Sequence, residues 1–192
     1  MKKLTPILCT LILSVALSCL VQAQEKAKPA TTAKATTKAM STAKVDNSAM
    51  PYTAVYSSNF EMGDPAKSRL VLEMWKDFDD NALDRHAAIL ADTAKIFLSD
   101  GQVLTGKDNM MSGMKMYRNS MTSLSSDIHA FMSFRSIDKN HDWVAVWGTE
   151  NTTTKDGLKN SSNLHEIWRF NKDGKVDEIR QYSSKMPAST KE

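Results

Sequence analysis

Cysteine is almost missing from this 192-residue chain: there are two, Cys9 and Cys19, and none further along. Beyond position 19 that excludes a disulfide framework, a thiol nucleophile and a cysteine-held metal. Long hydrophobic runs are missing as well, since the apolar stretch Leu4 to Leu20 falls short of the roughly 20 residues that span a bilayer. A surplus of one charge is absent once the chain is divided. The net charge of +3 comes from 25 Lys+Arg against 22 Asp+Glu. Setting aside Lys2 and Lys3 leaves 23 against 22. Setting aside also the five lysines, Glu25 and Asp46 of residues 24–50 leaves 18 against 20, a formal charge of −2 for the remainder. A near-neutral domain with scattered charge argues against nucleic acid as a partner.

Several chemistries fail at the residue that would carry them. Gly101 to Lys107 approaches a phosphate-binding loop, but Asp108 stands where Ser or Thr would hold magnesium, and its carboxylate repels phosphate. Asp138-Lys139-Asn140-His141-Asp142 starts like a calcium loop. Trp143 then replaces the glycine of the sharp turn and Thr149 the bidentate glutamate. His86, His129, His141 and His165 show no metal-ligand spacing, so surface or packing roles are their default. There is no G-x-S-x-G elbow. Neither a metal nor a cofactor is expected.

The amino terminus has the layout of an export signal. Met1-Lys2-Lys3 is basic, Leu4 to Leu20 is largely apolar, and Val21-Gln22-Ala23 precedes Gln24 with small residues at a cleavage site. The expectation is a signal peptide over 1–23, cleaved after Ala23, and a periplasmic or secreted protein with no transmembrane segment in its mature form. The rival is a lipoprotein signal at Cys19, although Ala16-Leu17-Ser18-Cys19 has Ala where such signals favour Leu. Residues 24–50 are rich in Ala, Thr and Lys and carry too little apolar surface to offset the entropy of ordering, so they read as a disordered linker.

From residue 51 the chain reads as an N-terminal arm (51–66), a domain (67–185) and a short tail (186–192). Tyr52 to Tyr56 alternates like an edge strand or an ordered arm. Leu70, Val71, Met74, Trp75 and Phe78 recur every three or four residues, which predicts a helix over Lys67 to Asp80. A second short helix is expected over Leu83 to Leu90. A third, over Lys107 to Met121, gathers Met110, Met111, Met114, Tyr117 and Met121 on one side. Those methionines pack a core or form a deformable wall for an apolar ligand. Strands are expected over 94–98, 102–104, 127–137, 143–154, 161–170 and 176–184. Asn171-Lys172-Asp173-Gly174 supplies the strongest hairpin signal, between the last two.

That hairpin, His165 to Tyr182, and the passage from Asn81-Ala82-Leu83-Asp84 into Leu90-Ala91-Asp92-Thr93-Ala94 resemble the nuclear transport factor 2-like superfamily, the SnoaL-like and ketosteroid-isomerase-like domains. The resemblance runs from about Lys67 to Ser184. It implies an α+β fold: a cone-shaped barrel of one curved, mostly antiparallel sheet packed against three helices from the N-terminal half. It also implies a homodimer formed through the sheet.

Laid against ketosteroid isomerases, which use an aspartate base, a tyrosine and a protonated acid, the chain has Leu98 at the base position and Met74 at the tyrosine position. Glu166 falls on the third place. One matching residue of three argues against steroid isomerisation and for a cavity holding one carboxyl group. An ion pair with Arg169 or Arg180, or a surface position, is the competing reading of Glu166. Strand alternation places Leu164 and Trp168 beside Glu166, and Ile179, Gln181 and Ser183 on the next strand. His165, Ile167, Arg169, Arg180 and Tyr182 then face outward, and whether Trp143 and Trp147 or Val144 and Val146 point inward stays open. The expected ligand-binding set is therefore Met74, Trp75, Phe78, Leu98, Met114, Leu164, Glu166, Trp168, Ile179, Gln181 and Ser183. The leading expectation is a module that binds a small apolar molecule. The alternatives are an acid/base enzyme using Glu166 and a histidine such as His129, or an assembly module with a filled interior.

Overall fold

The computed structural model describes residues 50–186, so the expected signal peptide, most of the linker and the last six residues lie outside the described part. Within it, seven strands and two α-helices form one layered unit: β1 (Phe60–Met62), α1 (Pro65–Asp79), β2 (Leu90–Phe97), β3 (Val103–Thr105), α2 (Lys107–Asn119), β4 (Met121–Ser136), β5 (His141–Thr154), β6 (Lys159–Phe170) and β7 (Val176–Lys185). The sheet runs β1-β4-β5-β6-β7-β2-β3, and every pairing is antiparallel except the parallel one between β2 and β7. It stays open, with β1 and β3 at its edges, and does not close into a barrel.

One expected element is corrected and one open alternative is decided. The helix over Leu83 to Leu90 is absent: one 3-10 turn, Ala87–Ile89, takes its place, so two α-helices pack on the sheet and not three. Asp77 explains this. Its carboxylate, 1 % exposed, accepts from the His86 backbone N–H at 3.1 Å and meets its ring Nδ1 at 2.7 Å, so the chain is held in a turn that a helix cannot follow. Leu83 and Leu90 are buried, as the periodicity implied, but from a loop and a strand start. Tyr52 to Tyr56 forms no strand; the arm joins the sheet later, where Phe60, Glu61 and Met62 pair with Ser136, Arg135 and Phe134.

The helices are fixed at their ends. Asp64 caps α1 by accepting from Ala66 N at 2.9 Å, and Pro65 takes the first helical position, where no N–H is needed. At the other end Arg118 of α2 donates to the carbonyls of Phe78 at 2.9 Å and Asp79 at 3.0 Å, which have no partner within the helix. The Asp79 carboxylate accepts from the backbone N–H and hydroxyl of Ser126 on β4. One face of α1 is thus held over β4 and β5. The core fills the space with Val71, Met110, Val144, Val146, Phe170, Val176 and Ile179. Val144 and Val146 point inward, while Trp143 stacks on Phe134 and Trp147 on His165 across the other face.

Candidate functional site

Register determines the site. The turn between β6 and β7 closes because Asn171 Oδ1 accepts from the backbone N–H groups of Asp173 and Lys175, while Gly174 adopts a φ of +72°. Pairing from that turn sets Trp168 opposite Ile179, Glu166 opposite Gln181 and Leu164 opposite Ser183. On the other side Trp168 faces Val144, Glu166 faces Val146, Leu164 faces Gly148 and Ser162 faces Glu150. Because side chains alternate, this whole set shares the inner face.

Over that face, α1, α2 and the turn after β2 enclose a cavity of about 450 Å³. Its walls include Met74, Trp75 and Phe78 from α1, Leu98 beyond β2, Met114 from α2, Leu164, Glu166 and Trp168 from β6, and Ile179, Gln181 and Ser183 from β7. Every residue of the expected ligand-binding set borders this one space. Exposed Met116, half-buried Ser162 and the exposed turn around Asp100 form its mouth. Gly148 lets Trp75 lie close against β5, because an added Cβ would lie 2.9 Å from the Asp127 carbonyl and 3.1 Å from Cζ3 of Trp75.

Glu166 is 7 % exposed. Its Oε2 accepts from the Trp168 indole N–H and its Oε1 from the Gln181 amide, each at 3.0 Å. The Trp75 indole N–H, on the opposite wall, is a third donor directed at Glu166 that favours its ionised form, although it lies outside full hydrogen-bond geometry. Burial outweighs these donors and raises the carboxyl group above the ordinary glutamate range. The competing ion pairs do not form: Arg169 binds Asp177 and Glu178, and Arg180 binds Glu178.

A second carboxyl group shares the cavity and was missed. Glu150 accepts from the Tyr117 hydroxyl at 2.9 Å, and Tyr117 stacks on Phe78 with ring planes 3° apart. Burial pushes Glu150 up, and burial beside Glu150 pushes the Tyr117 phenol up. The sequence carried a signal for it: Val144, Val146, Gly148 and Glu150 alternate, so fixing any one of them inward fixes all four. His129 does not reach the cavity. It sits where the β4–β5 register shifts, between Ile128 and Ala130, and contacts Thr149 Oγ1 at 3.1 Å on the outer face. The histidine proposed to work with Glu166 is therefore on the wrong side of the sheet. No group of three or more potential metal ligands occurs among the described residues.

Solved structures of nuclear transport factor 2-like proteins share this fold. A nuclear transport factor 2-like protein of unknown function from Burkholderia pseudomallei superposes with a TM-score of 0.52 at 18% identity, over 62% of this chain and 90% of its own. An LEH-like epoxide hydrolase from M. tuberculosis gives 0.52 at 13% identity, over 62% and 84%. A protein assigned as a SnoaL-like polyketide cyclase from Shewanella denitrificans gives 0.53 at 8% identity, over 63% and 92%. No family model and no curated protein matches the sequence.

Proposed function

We propose that this chain is an exported small-molecule-binding module whose inner-face cavity holds a compact, mostly apolar ligand. One observation carries the reading: about 450 Å³ of space, within the usual range for ligand sites, walled by apolar side chains around a single deeply buried carboxyl group. Leu98 and Met74, at the places of the isomerase base and tyrosine, offer only apolar wall. The open interior does not support an assembly module with a filled core.

A second reading, general acid/base catalysis, is favoured by the convergence of Glu166 and the Glu150–Tyr117 pair on the same space. Relatives in fold that are named as epoxide hydrolases and cyclases lend it further support. Self-association through the outer sheet face, where Tyr182 is 53 % exposed beside the stacked Trp147 and His165, belongs to the same proposal, and light scattering tests it.

The binding reading is tested with an uncharged fluorescent phenylnaphthylamine. Saturable binding at one site per chain is expected, and Leu164→Trp, which adds an indole where Leu164 borders the cavity, weakens it by about tenfold or more with the melting temperature retained. Equal binding by the variant would place the probe elsewhere and remove the main support for the reading.

A further inference from the structure

Three acidic residues line the cavity, Asp100, Glu150 and Glu166, and no lysine, arginine or histidine does so among the described residues. Nor is Glu166 or Glu150 part of an ion pair among them; the arginines on the neighbouring outer face are committed to Asp177 and Glu178. A buried carboxylate without a cation costs several kcal/mol. The described residues supply no such cation, but the cavity leaves room for one.

The groups around Glu166 point the same way. Trp168 and Gln181 each give it a hydrogen-bond donor, so a carboxylic acid proton finds no acceptor in the Trp168 indole, whereas a carboxylate satisfies both. A carboxylate has about four acceptor sites, two of them used here. The Trp75 indole N–H, in a side chain only 8 % exposed and on the cavity wall, lacks a partner. Ionised Glu166 provides an acceptor for it and still keeps a site for a ligand. Four aromatic rings, Trp75, Phe78, Tyr117 and Trp168, border the same space, and their faces attract cations.

We propose that the cavity takes an amphipathic organic cation, a protonated amine on a compact apolar body, with its ammonium group against Glu166 and its body against the methionine and leucine walls. The inference rests on the small-molecule-binding reading and specifies its ligand class. The titratable group facing Glu166 is Glu150 on β5; around it stand Tyr117 of α2, bound to Glu150, Asp79 of α1, acting on Glu150, and Asp100, which borders the same cavity and is held by Gln102. All but the tyrosine are acids. Burial holds Glu166 and Glu150 in the raised range, so an entering ammonium displaces protons. Amine affinity then increases as pH rises through that range, while the affinity of a neutral ligand does not. An aliphatic ammonium resembles that of lysine and stays charged throughout.

The test is calorimetric titration of the full mature chain with the adamantyl amine amantadine and with its neutral alcohol counterpart, at about pH 5 and about pH 8. The expected result is a preference for the amine of about tenfold or more at the higher pH, shrinking at the lower, with proton release on binding. Glu166→Gln should lose that preference for amine over alcohol; Glu150→Gln should reduce it less. If Glu166→Gln does not fold, the pH dependence of the wild-type preference decides alone. Equal affinity for amine and alcohol at both pH values overturns the cation proposal and leaves the binding reading standing. Failure of both adamantyl compounds while phenylnaphthylamine binds does the same. If none of the three binds, both fall.

Discussion

Replacing Gly148 by alanine tests how closely the Trp75 indole of the cavity wall lies against β5. The new methyl carbon would stand 2.9 Å from the Asp127 carbonyl oxygen, 3.1 Å from Cζ3 and 3.5 Å from Cη2 of Trp75. Ordinary contact needs about 3.5–4.0 Å. Neither neighbour yields easily. The carbonyl belongs to paired backbone in β4, and the indole is wedged between Gly148 and the cavity with 8 % of its surface exposed. Overpacking of this kind costs about 1–3 kcal/mol. At roughly 3–4 °C per kcal/mol for a domain of this size, the melting temperature should fall by about 3–12 °C. A double-mutant cycle with Trp75→Phe, which removes the clashing ring atoms, should show a coupling of about 0.5–3 kcal/mol. Thermal and urea unfolding give both numbers. A loss below about 0.5 kcal/mol for Gly148→Ala, or strict additivity with Trp75→Phe, would refute the placement of the indole over β5.

The titration of Glu166 should be visible in stability. Its folded value is raised, so above the unfolded glutamate range the native state holds more protons than the unfolded state, and stability falls as pH rises through that window. Glu166→Gln should flatten this fall without abolishing it, because Glu150 is raised too; unfolding curves collected across pH check it, and identical slopes would count against a buried carboxyl group. Asp64→Ala removes the α1 cap and should cost about 1 kcal/mol in chemical denaturation, against near-zero change if Asp64 were merely exposed. Intact-mass analysis of exported protein should begin at Gln24, a lipid-modified Cys19 being the contrary result. Trypsin should cut after the lysines between 26 and 44 well before it cuts from Lys67 onward.

What could be read beforehand was whatever depends on local period and turn chemistry. The β6–β7 hairpin is an example: Asn171 and Gly174 fix the turn, the turn fixes the pairing, and the pairing sends Glu166 inward beside Trp168 and Ile179. The helix α1 was visible from its apolar spacing, though its cap at Asp64 lay three residues before the expected start. Features that depend on contacts distant in sequence were hidden. Asp77 turns the chain at His86 and removes a helix that periodicity over Leu83 to Leu90 supported. The inward face of β5 could not be chosen because the lengths of its flanking turns leave the register open, and the shift in β4 between Ile128 and Ala130 carries His129 to the outer face. With that face open, Glu150 and its partner Tyr117 went unseen.

The space around Glu166 should be occupied by a small molecule in the protein's own setting. Native mass spectrometry of the protein purified from its host measures this directly. The expected spectrum shows a non-covalent adduct of small-molecule mass that disappears on denaturation and is absent from the Leu164→Trp variant purified in parallel. Bare polypeptide mass in every charge state, or an adduct retained unchanged by Leu164→Trp, would contradict it.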